Sequence, residues 1–265
     1  MAMADSATIE AALERVARQL ARAERVLFIT GAGISADSGL PTYRGIGGLY
    51  DGSVTEEGLR IEDALSGDVF AQRPDITWKY LAQIEANCRN AGPNAAHYAI
   101  AELERRLPEV LVFTQNVDGL HRRAGSRKLI EVHGNLQQLK CTRCAFATVA
   151  ETLAGWEMPP RCPGCGHILR PEVVLFGETL PTAAMDRFID ALERGFDMVF
   201  SVGTSSAFPY IAQPVVWAIQ SGIPTVEINP GETVLSRIVD HRLPIGAAAA
   251  MTGLMQRLAE AGGAA

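Results

Sequence analysis

Residues 25–45 read RVLFITGAGISADSGLPTYRG, and this stretch decides the class of fold. The apolar run at 26–30 predicts a buried strand. It leads into Gly31-Ala32-Gly33-Ile34-Ser35-Ala36, the G-x-G-x-x-A pattern whose glycines let backbone N–H groups approach a pyrophosphate. Pro41 and the glycines around it then predict a loop, not a continuing helix. The stretch therefore predicts a dinucleotide site, and leaves open whether the dinucleotide carries hydride.

The composition limits the classes of partner. The chain has 265 residues, 48% of them hydrophobic, and a net charge of −6. Nucleic acid is not expected as a partner, because binding it calls for a basic stripe. The sequence has no apolar run of about 18 residues, so we expect no membrane span. The first residues lack the basic and apolar regions of a signal peptide, so a cytoplasmic location is expected. The protein is also expected to be a monomer.

Strand patterns alternate with helical ones along the chain, which predicts an α/β fold with a parallel, doubly wound sheet. Strands are predicted at 26–30, 110–114, 128–132, 173–176, 198–202 and 225–228. Helices are predicted at 97–107, 183–194, 211–220 and 252–260, with an amphipathic helix before the first strand.

Two segments interrupt this alternation, and we interpret them as insertions that form a small second domain. Residues 46–92 show helical patterns without a strand, and residues 139–171 contain two turns and most of the cysteines. The remainder, residues 8–45, 93–138 and 172–260, is predicted to form a discontinuous Rossmann-like domain.

Four of the five cysteines form two Cys-x-x-Cys pairs, Cys141 with Cys144 and Cys162 with Cys165. In a chain without a secretion signal this spacing predicts a zinc site, not disulfides. Four thiolates fill a tetrahedral site, so the zinc is expected to be structural. Cys88 stands apart in a helical stretch and is expected to be a packing residue.

A dehydrogenase is disfavoured because the acidic residue that would bind the ribose of the dinucleotide is missing where such enzymes keep it. A hydride-transferring Rossmann enzyme carries Asp or Glu at the end of its second strand, about 20 residues after the glycines. Here that place is taken by Asp51, which follows no strand pattern. A different use of the dinucleotide is therefore favoured.

The chain resembles the sirtuins, the NAD-dependent protein-lysine deacylases, over roughly residues 20–250. The resemblance rests on the glycine stretch, the two cysteine pairs and five further motifs in the family's order: TQNVDGLH at 114–121, EVHGN at 131–135, RPEVVLFGE at 170–178, VGTS at 202–205 and VEIN at 226–229. It is most like the bacterial-type class III branch.

The resemblance implies that NAD is consumed: the nicotinamide bond breaks, the acyl-lysine oxygen attacks the anomeric carbon, and the acyl group ends on ADP-ribose. His133 fits the base for a ribose hydroxyl, since it ends a predicted strand and histidine titrates near neutrality. Asn116 is assigned to the ribose and water, and Asp118 to the nicotinamide pocket. Both residue types are also common in plain Asx turns.

Further NAD contacts are implied by the family match. Tyr43, where the family usually has Phe, would shield the anomeric carbon, Arg44 would hold an oxygen of phosphate or ribose, and Asn229 would hold the adenosine ribose. The other implied cofactor residues are Gly31, Ala32, Gly33, Ala36, Asp37, Gln115, Gly203, Thr204, Ser205 and Ala247.

The substrate is expected to be an acyl-lysine peptide bound as an added strand along Val174, Leu175, Phe176, Gly177 and Glu178. Relatives that prefer succinyl or malonyl groups carry Tyr-x-x-Arg on the helix before the Pro-Asn-Ala stretch, which here begins at Pro93. Here that pair falls on Leu81 and Ile84, and a one-residue slip gives Tyr80 and Gln83.

Neither register of that pair contains a cation, so acetyl and other neutral acyl groups are expected. Another cation such as Arg60 would reverse this prediction. Two further alternatives remain open, a mono-ADP-ribosyltransferase and a catalytically silent NAD-binding module.

Overall fold

The computed structural model describes residues 6–42 and 54–262 of the chain. Tyr43, Arg44 and Asp51 lie outside the described residues, so the predictions made for them are not addressed by the structure.

The described residues form two sheets. The strands are β1 Arg25–Thr30, β2 Glu109–Thr114, β3 Leu129–Glu131, β4 Gly134–Cys141, β5 Ala147–Val149, β6 Leu169–Val173, β7 Met198–Val202, β8 Thr225–Ile228 and β9 His241–Leu243. Six of them form a parallel sheet in the order β3-β2-β1-β7-β8-β9. The strand order reverses between β1 and β7, which creates a crevice at the carboxyl ends of the strands. The predicted α/β fold with a parallel sheet is confirmed.

Helices connect these strands and cover the sheet. They are α1 Ser6–Leu20, α2 Ile61–Ala64, α3 Gly67–Gln72, α4 Pro74–Asn90, α5 Ala95–Arg106, α6 Leu120–Ala124, α7 Thr182–Glu193, α8 Pro209–Gln220 and α9 Ala247–Gly262. A 3₁₀ helix, Ala32–Ser38, follows the glycine stretch.

The parallel sheet is buried on both faces, as its near-continuous apolar strands require. One face packs against α1, α5 and α9, and there the ring of Phe28 stacks on Phe200 with centroids 4.7 Å apart. The other face packs against α7 and α8, and there Phe113 stacks on Phe188 at 3.7 Å. These two cores fix the sheet, and with it the crevice.

The small sheet is antiparallel, in the order β5-β4-β6, and it shares a third apolar cluster with α2, α3 and α4. Trp78 of α4 is fully buried there and donates its indole N–H to the carbonyl of Leu169 at 2.9 Å. The predicted insertions at 46–92 and 139–171 thus contact each other where the structure describes them.

The predicted strand at 173–176 is wrong in its extent, because β6 ends at Val173. Beyond it the backbone leaves the ladder: Val174 donates to the carbonyl of His133 at 2.9 Å, and Phe176 donates to that of Leu65 at 3.0 Å. β4, β5 and β9 were not predicted, because they are short or interrupted and alternate polar with apolar residues.

The joint between the two sheets predicts a sharp glycine requirement. Gly134 has φ +79°, and a Cβ there would lie 1.7 Å from the Glu172 carbonyl oxygen. Gly134→Ala is expected to lower the free energy of unfolding by about 3–5 kcal/mol, from the left-handed backbone and the clash together. Chemical denaturation measures this.

Gly195 is the matched control, with φ +77° and nothing within 4 Å of an added Cβ. Gly195→Ala is expected to lose only about 1–2 kcal/mol. Equal losses in the two variants would contradict the steric argument.

Candidate functional site

A cavity of about 520 Å³ opens at the carboxyl ends of β1, β2, β7 and β8 and extends to α4. The predicted site residues that line it are Gly31, Ala32, Gly33, Leu81, Ile84, Gln115, Asn116, His133, Val174, Leu175, Phe176, Gly177, Glu178, Gly203, Thr204, Ser205 and Asn229. The structure therefore brings most of the predicted site together in one crevice.

The floor of the cavity is a backbone contact between two loops. The N–H of Gly33 donates to the carbonyl of Gly203 at 2.7 Å, and that of Gly31 donates to Val202 at 3.1 Å. A Cβ on Gly33 would lie 2.6 Å from the Cα of Gly203, so only glycine allows this approach. Asn229, on the loop after β8, holds the Gly203 loop in place by donating its amide to the carbonyl of Thr204 at 3.0 Å.

His133 has its tautomer fixed by its neighbours. Its Nδ1 lies 2.9 Å from the carbonyl oxygen of Gln115, which can only accept, so Nδ1 carries the proton. Its Nε2 is then the acceptor, and it lies 2.7 Å from the hydroxyl of Tyr210. Burial lowers the pKa of His133 below its ordinary value, although the Gln115 hydrogen bond opposes this. Burial therefore favours the neutral imidazole, whose Nε2 accepts from Tyr210 at the wall of the cavity.

Asn116 and Asp118 are joined through Ser35. The buried Asn116 amide donates to the Gly31 carbonyl at 3.1 Å and to the Ser35 hydroxyl at 3.2 Å. The Ser35 hydroxyl donates to Asp118 at 2.7 Å. Asp118 also accepts from the Leu120 N–H, the Asx-type turn weighed as its alternative, and burial raises the pKa of its carboxyl.

Asp118 faces a smaller recess beside the main cavity. Asn116 lines both spaces, and Ser35 and Cys88 line the recess. Burial raises the pKa of the Cys88 thiol to about 12. Ser35 stood inside the glycine pattern but was not singled out from the sequence.

Three predicted cofactor residues lie away from these lining surfaces. Asp37 accepts from the N–H of Ala248 at 2.9 Å, which ties the glycine stretch to the first turn of α9. Ala247 is buried in the core on that side, and Ala36 is exposed. The spacing of the glycine pattern gave no means of separating such supporting residues from lining ones.

A buried polar chain runs behind Asn116. The backbone N–H of Asn116 donates to the hydroxyl of Thr114, which also accepts from Thr30 at 2.8 Å, and Thr30 in turn pairs with His121 Nε2 at 3.0 Å. The rings of His121 and His97 meet edge to face at 4.9 Å. His121 is thus the last member of this series of hydrogen bonds. His97 caps α5 by accepting from the Asn94 N–H.

The two buried histidines predict a loss of stability in acid. Burial lowers the pKa of His97 to about 4 and that of His121 well below 6.5, so both favour the neutral form in the fold. Their contribution is complete above the unfolded pKa near 6.5 and is lost as the pH falls toward 4. For His97 the loss between about pH 7.5 and about pH 5 is roughly 2 kcal/mol.

Urea unfolding of the wild type and His97→Gln at both pH values measures this. The variant keeps an acceptor for the helix cap but does not titrate, so its stability should fall less steeply. Any zinc release in acid is common to both proteins and cancels in the comparison. Parallel pH dependences would contradict the assignment.

The end of the cavity beside α4 is apolar. Leu81 and Ile84 of α4 line it together with Leu65, Leu136 and Phe176. Among the described residues that line it there is no Lys or Arg. The alternative cation, Arg60, is exposed and pairs with Asp63 through two hydrogen bonds of 2.9 Å.

The one-residue slip of the Tyr-x-x-Arg pair gives Tyr80 and Gln83, and neither side chain is a cation. Tyr80 donates its hydroxyl to Glu57 at 2.5 Å.

The segment from Val174 to Glu178 forms the opposite wall. Phe176 makes two backbone hydrogen bonds with the segment between α2 and α3, donating to Leu65 and accepting from Gly67 at 3.0 Å each. Glu178 accepts a forked pair of hydrogen bonds from Arg170 at 2.8 and 2.9 Å, which keeps the pKa of its carboxyl low against the effect of burial. The wall is therefore held in place from both ends.

The four cysteines of the two pairs come together. Their sulfur atoms all lie within 4.8 Å of one another, with Cys141 and Cys165 3.4 Å apart and Cys144 and Cys162 3.6 Å apart. Tetrahedral zinc with Zn–S bonds of about 2.3 Å places sulfur atoms about 3.8 Å apart, close to this arrangement. The cluster suits one structural zinc ion and lies outside the cavity lining.

Zinc removal tests the structural role. We expect one zinc per chain, and we expect Cys162→Ser to abolish its binding and unfold the β4–β6 region, because the metal replaces a larger core there. Metal analysis and thermal unfolding measure this. Cys88→Ser is the control and should keep the zinc, since Cys88 lies on α4 away from the cluster. A zinc-free protein with an unchanged melting curve would contradict a structural zinc.

The fold and the cavity define a doubly wound α/β protein with a dinucleotide-type crevice and a separate four-thiolate module. A model of the Sir2 family matches residues 31–208. NAD-dependent protein deacylase 2 of Pseudomonas aeruginosa is 54% identical over 232 residues, which cover 86% of this chain and 90% of that protein. The chain belongs to the Sir2 family, the sirtuins.

Solved structures agree with this placement. A Sir2 homolog–NAD complex matches with a TM-score of 0.84 at 38% identity, covering 94% of each chain. A structure described as Sir2–p53 peptide–NAD⁺ matches with a TM-score of 0.79 at 30% identity, covering 96% of this chain and 99% of the other. Within residues 6–42 and 54–262, no helix is long and apolar enough to cross a membrane.

Proposed function

We propose that this protein removes acyl groups from protein lysine with NAD as co-substrate, giving nicotinamide, O-acyl-ADP-ribose and free lysine. The observation that carries the proposal is His133, a neutral base whose Nε2 faces a cavity floored by a glycine loop. Relatives named NAD-dependent protein deacylases support it, at 54% identity in one case and 50% in another.

The glycine loop and the strand ends would hold the dinucleotide. Ala32 and the Thr204–Ser205 segment would offer backbone and hydroxyl groups to the pyrophosphate, while Gly31, Gly33 and Gly203 would let it approach the backbone closely because they lack side chains. Asn229, on the loop after β8, would contact the adenosine ribose. Gln115 is held by the Thr204 hydroxyl at 2.9 Å and adds to this wall. Tyr43 and Arg44 join the proposal on sequence alone, and Asp37 would support the loop through α9.

NAD supplies an anomeric carbon that the acyl oxygen can attack once nicotinamide leaves. Asn116, held by Gly31 and Ser35, is placed to orient a ribose hydroxyl or water beside it. Asp118 would accept from the nicotinamide carboxamide in the adjacent recess. His133 would take the proton of the ribose hydroxyl that attacks the acyl carbon.

The acyl pocket favours neutral groups. A succinyl carboxylate placed against Leu81 and Ile84 would be desolvated without a cation, and this costs several kcal/mol (order of magnitude). Each methylene of a neutral chain gains roughly 0.8 kcal/mol there. We therefore propose acetyl and longer neutral acyl groups as substrates.

The protein partner would be a peptide laid between the Val174–Glu178 wall and the loop that carries Phe208. Added-strand binding uses main-chain hydrogen bonds, so weak sequence selectivity follows. The remaining parts of the proposal are a monomer, a cytoplasmic location that suits four metal-binding thiols, and no role for nucleic acid given the charge of −6. We further propose that 46–92 and 139–171 act as one small domain.

One lysine peptide carrying acetyl, butyryl, decanoyl, lactyl or succinyl groups tests the function. Nicotinamide release is expected with the neutral groups and at least about 10-fold less with succinyl, from the unpaired carboxylate. Mass spectrometry of the products should show free O-acyl-ADP-ribose, whereas protein-bound ADP-ribose would indicate the transferase alternative.

His133→Ala is the matched variant and should lose about 100-fold or more in deacylation. Succinyl as the best substrate would contradict the pocket argument but keep the reaction. No release with any acyl group would contradict the proposed function.

A further inference from the structure

Tyr210 places its hydroxyl in contact with His133, the proposed base. The motifs of the sequence did not indicate this contact. Tyr210 is the second residue of α8, directly after Pro209, and it and His133 both line the cavity. Its hydroxyl lies 2.7 Å from His133 Nε2. Because His133 Nδ1 carries the proton toward Gln115, Nε2 accepts and Tyr210 donates.

The tyrosine ring is held in this position. It stacks on Phe208 with centroids 5.5 Å apart and planes 17° from parallel, and it meets His133 edge to face at 6.1 Å. Pro209, which lies between Phe208 and Tyr210 in the sequence, is the first residue of α8, and its ring fixes the backbone φ angle there. Moving the hydroxyl off Nε2 would therefore break a hydrogen bond and disturb both ring contacts.

His133 has one lone pair that can accept a proton, on Nε2, and the Tyr210 hydroxyl already donates to it. The same hydroxyl can also accept a hydrogen bond. A phenol hydroxyl donates one hydrogen bond while its oxygen accepts others. A ribose hydroxyl entering the cavity can therefore reach His133 through Tyr210 without displacing it.

We propose that Tyr210 is a proton-relay residue that passes the proton of the attacking ribose hydroxyl to His133. The ribose O–H bond breaks and its proton bonds to the Tyr210 oxygen, while the tyrosine's own proton bonds to Nε2. The electron pair stays on the ribose oxygen for the attack, tyrosine ends neutral, and His133 ends as imidazolium. This inference rests on the proposed deacylase function.

Tyr210→Phe removes the hydroxyl and keeps the ring. Deacylation should fall by about 10–100-fold, the scale of a positioned proton transfer. Exchange of labelled nicotinamide into NAD should persist, because breaking the nicotinamide bond precedes the relay. The KM for NAD should stay within about two-fold, because the relay acts after binding.

A solvent proton inventory provides a readout that a packing role would not change. The rate in mixed H₂O and D₂O should vary nonlinearly in the wild type, with two protons in transit, and linearly in Tyr210→Phe. Tyr98→Phe is the matched control, because Tyr98 is 53% exposed on α5 and the same atom is removed there. It should match the wild type in every assay.

Three results would overturn the relay. The first is unchanged deacylation in Tyr210→Phe, and the second is a lower KM for NAD with equal or faster deacylation, since the hydroxyl would then only obstruct the base. The third comes from nitrogen-15 NMR of His133, which tests the contact without turnover: an Nε2 shift identical in wild type and Tyr210→Phe. An inactive wild type would instead contradict the proposed function.

Discussion

Gly33 and Gly203 meet backbone to backbone, and the cavity depends on that contact. Gly203 has φ +60°, and a Cβ on it would lie 2.2 Å from the nitrogen of Ile34. With neither side chain present, the loops after β1 and β7 close on each other at the point where the strand order reverses. The glycine stretch and the Gly203 loop therefore border one cavity, and a larger residue at either position would push the two loops apart.

His133 occupies a second constrained position, between the two sheets. It follows β3 of the parallel sheet and precedes Gly134, where the antiparallel sheet begins. Its carbonyl accepts from Val174, the first residue after β6, so one residue connects the imidazole to the Val174–Glu178 wall of the cavity. The imidazole is oriented from the sheet through Gln115 and from α8 through Tyr210, which are separate elements of the fold.

The sequence predicted those parts of the protein that have local signatures. The parallel strands are continuous apolar runs, and the cysteine spacing defines its own geometry, so both could be inferred from the chain alone. The small sheet could not, because β4 shifts register between Asn135 and Leu139 and its residues alternate in burial. Tyr210 and the cap that Asp37 forms on α9 are long-range contacts, and no spacing along the chain indicates them.

Helix α4 stands between two different environments. Leu81 and Ile84 line the cavity. Trp78 and Glu85 bond to the module that holds the cysteines, through the carbonyl of Leu169 and the N–H of Leu153. This part of the cavity wall is therefore tied to the module that holds the four thiolates. Oxidation of the exposed Cys144 and Cys165 would remove two metal-binding thiolates, and with them part of the support behind α4.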